Sequence, residues 1–241
     1  MAGLMNTSVL VLRILAALLA LLFVYVPTQL QAQGRTSVIL DGSSSMNKPF
    51  DNGTRLDSAK EAVHHMFDLT LEGSPDHEVP FLSFYAGCWV HVMVGPAPLQ
   101  DVEEELRVFV GDITPKEYAH TPIICSLERA AKLLDGSPGH VMLVSDGRES
   151  CDFESDISLF AEGMASENVN LEVVLIGKAL APHQVEALRC IPEATGSAFV
   201  NVGDATALET ALGFAAELSV NAPTTGCWDN RGGLLHWWCE D

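Results

Sequence analysis

Between Thr36 and Leu218 the chain alternates short, almost wholly apolar runs with longer segments whose apolar residues recur every three or four positions. Thr36–Leu40, Val79–Tyr85, Val141–Val144, Leu171–Ile176 and Ala198–Val202 read as strands. The spacing of Leu56, Ala59, Val63, Met66 or Phe67 and Thr70, behind Thr54 as a cap, predicts a helix. Further helices are expected over Leu99–Val110, Pro122–Leu134, Ser155–Ala165, His183–Ile191 and Ala205–Leu218, with Thr121 in the capping position of the second of these and Pro122 at its first helical site. Strands this apolar need cover on both faces, and strands that alternate with helices pair in parallel. The expectation is therefore an α/β domain with a mostly parallel sheet and helices on both sides. Trp89–Val94 follows Val79–Tyr85 closely enough to form a hairpin, the one antiparallel edge.

The pattern covers residues 35–218 and stops on either side. Asn6–Arg13 is a polar-to-basic lead, and Ile14–Val26 is an unbroken apolar run of 13 residues ending before Pro27. A bilayer-spanning helix needs roughly 20 residues, so the run fits the apolar part of a secretory signal, cut after Ala32. An uncleaved signal anchor is the other reading of residues 1–32. Beyond Leu218, Asn221–Gly226 has linker chemistry, and Cys227–Asp241 is a tail with two cysteines and three tryptophans. A core of this length stands without staples, so six cysteines point to a disulfide framework in an oxidising compartment, with 15 possible connectivities.

The chain carries 13 Lys+Arg against 32 Asp+Glu, a net charge of −19. Loss of residues 1–32 removes Arg13 and no acid, which makes it −20. Such a surface argues against nucleic-acid binding, repels anionic lipid, and attracts divalent cations and basic partners.

In open parallel sheets ligands sit outside the carboxyl ends of the strands. The first strand is followed by Asp41-Gly-Ser43-Ser-Ser45-Met46, the Val141–Val144 strand by Ser145-Asp146-Gly147, and Thr121 stands at a helix mouth between them. Two carboxylates and three hydroxyls form an all-oxygen set, suited to a hard cation such as Mg²⁺ or Mn²⁺ rather than zinc or copper. With Ser43, Ser45 and Thr121 as neutral donors, and Asp41 and Asp146 acting partly through water, the ion keeps much of its charge. An exchangeable position then favours a carboxylate from another protein.

These residues resemble the metal-ion-dependent adhesion site of the von Willebrand factor type A domain: Asp41-x-Ser43-x-Ser45, Thr121 and Asp146-Gly147 stand in that family's order and strand-end contexts. The resemblance covers about Arg35 to Leu218. It implies a Rossmann-like, doubly wound sheet, a divalent ion held by Asp41, Ser43, Ser45, Thr121 and Asp146, and recognition of a partner's Asp or Glu. Asp146-Gly-Arg-Glu-Ser-Cys151 and Leu188-Arg-Cys190-Ile-Pro-Glu-Ala-Thr-Gly196 are similar to a recurring pair of segments in bacterial extracytoplasmic members. That similarity implies a periplasmic or secreted protein, or a membrane-anchored one facing the periplasm, with a Cys151–Cys190 disulfide. Cys227 with Cys239 is the local pairing that remains, leaving Cys88 with Cys125.

Other features carry less. His64 and His65 are adjacent on a helix and face different ways, so they cannot grip one metal. His120 precedes Thr121 and is the only hint of a general base for a metal-assisted phosphoesterase, the alternative to a binding module. That alternative lacks a second metal and a lid. A scaffold whose ion only stiffens loops is a third reading. Asn52-Gly-Thr54 matches a glycosylation acceptor, although Gly53 alone explains a turn there. Trp228, Trp237 and Trp238 form either a contact patch or a cover for the domain's edge.

Overall fold

A computed structural model describes residues 34–116, 118–136, 139–147, 149–151, 157–166, 169–176 and 182–215. The expected signal segment and the Cys/Trp tail lie outside the described residues. Strand β1 (Thr36–Asp41) leads through a 3-10 turn (Ser44–Asn47) and a minimal hairpin, β2 (Pro49–Phe50) and β3 (Gly53–Thr54), into helix α1 (Arg55–Gly73). There follow β4 (Phe81–Ala86), β5 (Trp89–Val94), α2 (Leu99–Asp112), α3 (Ile123–Lys132), β6 (Gly139–Ser145), α4 (Ile157–Ser166), β7 (Val169–Ile176), α5 (Pro182–Thr195), β8 (Phe199–Val202) and α6 (Ala205–Ala215).

The main sheet has the order β5-β4-β1-β6-β7-β8. All neighbours run parallel except β4 and β5, which form the expected antiparallel edge pair. Side chains alternate across each central strand. Val38, Leu40, Met142, Val144, Val174 and Ile176 join the core under α1, α2 and α6. Ile39, Val141, Leu143, Leu171, Val173 and Leu175 face the other way, into the core under α3, α4 and α5. The central stretches of these strands, Val38–Leu40, Val141–Val144 and Val173–Ile176, have no solvent face, which is why they are continuously apolar.

From β1 the sheet grows through β4 and β5 in one direction and through β6, β7 and β8 in the other. The order therefore reverses at β1 and β6, the point beyond whose carboxyl strand ends open α/β sheets hold their ligands. Leu40 lies opposite Val144 in this pair, so Asp41 and Ser145-Asp146 leave the sheet side by side.

Helix α1 begins as expected. Thr54 accepts the Asp57 amide at 3.1 Å, while the Asp57 carboxylate accepts the Thr54 amide at 3.0 Å, a reciprocal cap. Helix α3 departs from expectation. It starts at Ile123, with Pro122 rather than Thr121 at the cap and no side-chain cap bond from that residue. The Glu149 carboxylate instead accepts the Ile124 amide at 3.0 Å. Thr121 is thereby released from capping.

Candidate metal centre

The Asp41 side chain is fully buried at the end of β1. Its Oδ1 accepts the Ser43 amide at 2.7 Å and its Oδ2 accepts the Ser145 hydroxyl at 2.5 Å. The first bond folds the chain back immediately after the strand. Ser43 Oγ then stands 3.0 Å from Ser45 Oγ. Ser45 donates to Asp146 Oδ1 at 2.5 Å. A continuous row of oxygens thus joins the loop after β1 to the end of β6.

Thr121 reaches the same place by different means. Its amide donates to Ser150 Oγ at 2.8 Å and its carbonyl accepts the Ser150 amide at 3.0 Å. Its hydroxyl lies toward Gly147, where a Cβ would sit 3.2 Å from Thr121 Oγ1 and 3.8 Å from Asp41 Oδ2. Glycine at 147 keeps open the space between these two oxygens. Ala119 fixes the loop ahead of Thr121 by accepting the Ser44 amide at 3.3 Å. All five residues singled out in the sequence therefore converge, in a crevice whose donors are hard oxygens.

The electrostatics of this crevice set two buried carboxylates against one guanidinium. Burial pushes the Asp41 carboxyl up to about 7, against the hydrogen bonds from Ser145 and Ser43, and the charge of Asp146 adds to the rise. Asp146 is 2% exposed. Its Oδ2 forms an ion pair with Arg55 Nη1, from the first residue of α1. Beside the Arg55 guanidinium, the crevice offers two buried carboxylates and uncharged hydroxyls next to a glycine, a donor set of hard oxygens that suits a small hard cation. Among the described residues no group of three or more His, Cys, Asp or Glu stands together, here or elsewhere, so any ion in this crevice would depend on two carboxylates and the hydroxyls.

Several contributors were not legible as such. Ser145 reads as part of a turn, but its hydroxyl holds Asp41 and also accepts the Gly147 amide at 3.1 Å. Glu149 and Ser150 read only as parts of a similar segment, and they position Thr121. Arg55 carries no sequence signal, because a basic residue beginning a helix reads as solvated. His120 is exposed, with its backbone tied to Gly87, and no hydrogen bond joins its side chain to the oxygens of the five residues.

The disulfide expectation is corrected. Cys151 is bonded to Cys88, their Cα atoms 5.7 Å apart, so it is not available to Cys190. Cys125 is also disulfide-bonded, and Cys88 is not its partner. The cause lies in the Thr121–Ser150 pairing, which turns the strand-end segment toward the β4–β5 hairpin. The His120 amide donates to Gly87 O at 2.9 Å and the Lys116 amide to Tyr85 O at 2.8 Å, which brings that hairpin tip to the same edge. The suggested Cys227–Cys239 pair lies outside the described residues.

No protein-family model matches the sequence, and no curated protein matches it. Solved structures do. A von Willebrand factor type A protein from Catenulispora acidiphila superposes with a TM-score of 0.64 at 17% identity, covering 76% of this chain and 42% of its own. The conserved hypothetical protein BatB from Bacteroides thetaiotaomicron gives 0.61 at 15% identity, covering 76% and 97%. The vWF domain of the type V pili tip protein Mfa5 from Porphyromonas gingivalis gives 0.61 at 11% identity, covering 76% and 93%. This chain thus spans less than half of the first of these and nearly all of the other two. It has the von Willebrand factor type A fold.

Proposed function

We propose that residues 35–218 of this chain form a non-enzymatic, metal-dependent protein-binding module, exported by means of residues 1–32. The observation that carries the reading is the convergence of Asp41, Ser43, Ser45, Thr121 and Asp146 at the reversal point of the sheet. Asp41 and Asp146 supply the negative charge that attracts a divalent ion, and the three hydroxyls complete a set of hard donors. A bound Mg²⁺ or Mn²⁺ would supply an open coordination position able to accept an Asp or Glu carboxylate of a partner protein. The protein's own work is to hold its oxygens in place. Ser145 and the Ser43 amide orient Asp41, Ser45 and Arg55 orient Asp146, and Ser150 with Glu149 fixes Thr121.

Export is supported by the Cys88–Cys151 bond, which requires an oxidising compartment to persist. Among the described residues no helix is long and apolar enough to cross a membrane. The phosphoesterase reading has less support, since the side chain of its only candidate base, His120, is exposed and unconnected to the oxygen row.

Two measurements test the proposal. Calorimetry should detect one Mg²⁺ per chain, with affinity lost in Ser45→Ala combined with Thr121→Ala. A pull-down from the native cell envelope should recover a partner with Mg²⁺ present and lose it with EDTA. Unchanged Mg²⁺ binding in the double variant would sink the site, and capture that survives chelation would place the interface elsewhere.

A further inference from the structure

Arg55 stands in a place that general rules disfavour. It is 8% exposed, and its Nε is buried without a hydrogen-bond partner. It is also the first residue of α1, where the helix dipole repels a cation. The chain has 32 acidic side chains, most of which would receive an arginine at the surface. Arg55 instead reaches inward to Asp146 Oδ2, while Ser45 occupies Oδ1, so both oxygens of this carboxylate are engaged.

Charge counting shows what this placement does. With Asp41 deprotonated, as holding a cation requires, the two carboxylates and Arg55 sum to −1. Without Arg55 the sum is −2. A divalent ion added to the first set leaves +1, and added to the second leaves zero. In a buried setting one unit of charge weighs heavily in both steps. Arg55 therefore opposes loading of the cation and favours arrival of an anion afterwards.

We propose that Arg55 is a built-in counter-charge of the metal centre, which weakens binding of the bare cation and gives the loaded site the net positive charge that selects a partner's carboxylate. This rests on the metal-dependent reading above. It makes Arg55 a determinant of ligand choice, and it explains how a chain of net charge −19 can draw an acidic side chain to one point. The guanidinium stays on Asp146 in both states, because the carboxylate has lone pairs enough for Arg55 and for a shared contact.

The test compares the full chain with Arg55→Met, which removes the charge at similar length, and Arg55→Lys, which keeps it. Mg²⁺ affinity is measured by calorimetry. Acetate, as the carboxylate probe, is titrated into Mn²⁺-loaded protein and followed by the loss of water-proton relaxation as it displaces bound water. Arg55→Met should bind Mg²⁺ about tenfold more tightly and acetate about tenfold more weakly, with Arg55→Lys within about threefold of the parent on both. Equal or weaker Mg²⁺ binding by folded Arg55→Met would overturn the proposal and reduce Arg55 to a structural ion pair. If the parent chain binds no Mg²⁺ at all, the metal-dependent reading itself falls, and the counter-charge with it. A measurement on the unaltered protein guards against a variant that fails to fold: the Arg55 Nε–H proton resonance should persist, shifted, when Mg²⁺ is added. Its rapid exchange with water on loading would mean expulsion of Arg55 and would refute the proposal.

Discussion

Asp41 and Asp146 place two acids in a crevice with almost no access to water, and the residues around them divide that burden unevenly. Asp41 is held by neutral donors and its carboxyl rises to about 7, whereas Asp146 has the Arg55 guanidinium against it. Asp146→Ala is consequently a poor probe of metal binding, because it leaves Arg55 buried and unpaired. Breaking a buried ion pair from one side costs about 3–5 kcal/mol, and urea unfolding of the metal-free variant should show a loss of that order. Ser45→Ala removes one neutral hydrogen bond, for which about 1 kcal/mol is expected, while Mg²⁺ affinity in calorimetry should fall clearly. Equal stability losses in the two variants would mean that the Arg55–Asp146 pair carries little of the metal-free fold. A third residue gives a pH signature. Burial lowers the His77 pKa below its ordinary 6.5, helped by His140 and opposed by Glu78. A histidine depressed in the fold stabilises above 6.5, and that contribution is lost as pH falls, since the unfolded chain takes up the proton first. The drop in Tm between pH 7.5 and 5.5 should therefore be smaller in His77→Gln than in the parent. An equal drop in both would remove His77 as a source of acid sensitivity.

The elements that position the site are held together at their ends rather than along their lengths. Glu149 accepts the Ile124 amide at 3.0 Å and the Cys151 amide at 2.7 Å, so one carboxylate fastens the start of α3 and the loop after β6. Glu149→Ala should lower stability by about 0.5–2 kcal/mol, the usual cost of a lost helix cap, and weaken Mg²⁺ binding through the loosened Thr121. A thermal melt and a calorimetric titration read the two effects separately, and a stability loss with unaltered affinity would show that Thr121 is held by Ser150 alone. Cys88–Cys151 adds a covalent tie between the hairpin tip and the same loop, and non-reducing peptide mapping should recover those two peptides joined. Recovery of a Cys151–Cys190 peptide would overturn this pairing. These end contacts mark where the sequence ceased to be readable. The strands and helices are visible because burial on a sheet or a helix imposes a period, and Asp41, Ser43, Ser45 and Asp146 are visible because they follow such periods directly, Thr121 because it shortly precedes one. Arg55, Glu149 and the Cys88 partner obey no period. Their roles depend on which loops meet, and that is decided by the docking of β6 against β1 and of the hairpin against Thr121, over separations of up to 91 residues for Arg55 and Asp146.

At the scale of the whole molecule the charge is lopsided, −19 overall with the candidate cation site sunk in the reversal point of the sheet. On the proposed reading, attraction to a partner over long range would fall to a basic rim around the partner's acid. Binding of the partner recovered with Mg²⁺ should weaken as salt rises from 50 to about 300 mM, within the range where the Debye length shortens to several ångströms, and should be abolished by EDTA at every salt concentration. Salt-independent affinity would point to an apolar interface instead. Two exposed aromatic side chains, Trp89 on β5 and Tyr118 in the loop before Thr121, lie on segments that border the crevice and would carry such a contact. The order of strands has a consequence for how the protein comes into being. Ser45 and Asp146 are 101 residues apart, and Asp41 and Ser145 are 104 apart. A chain emerging from its N-terminus has the Asp41-x-Ser43-x-Ser45 segment long before it has β6, and until β6 docks beside β1 the two halves of the site do not exist for one another. Loop closure over such a distance comes late in folding and makes the central sheet slow to complete. On the proposed metal-dependent reading, the newly made chain would pass through a cation-rich medium without capturing an ion prematurely, and acquisition of the ion would certify that the sheet has closed.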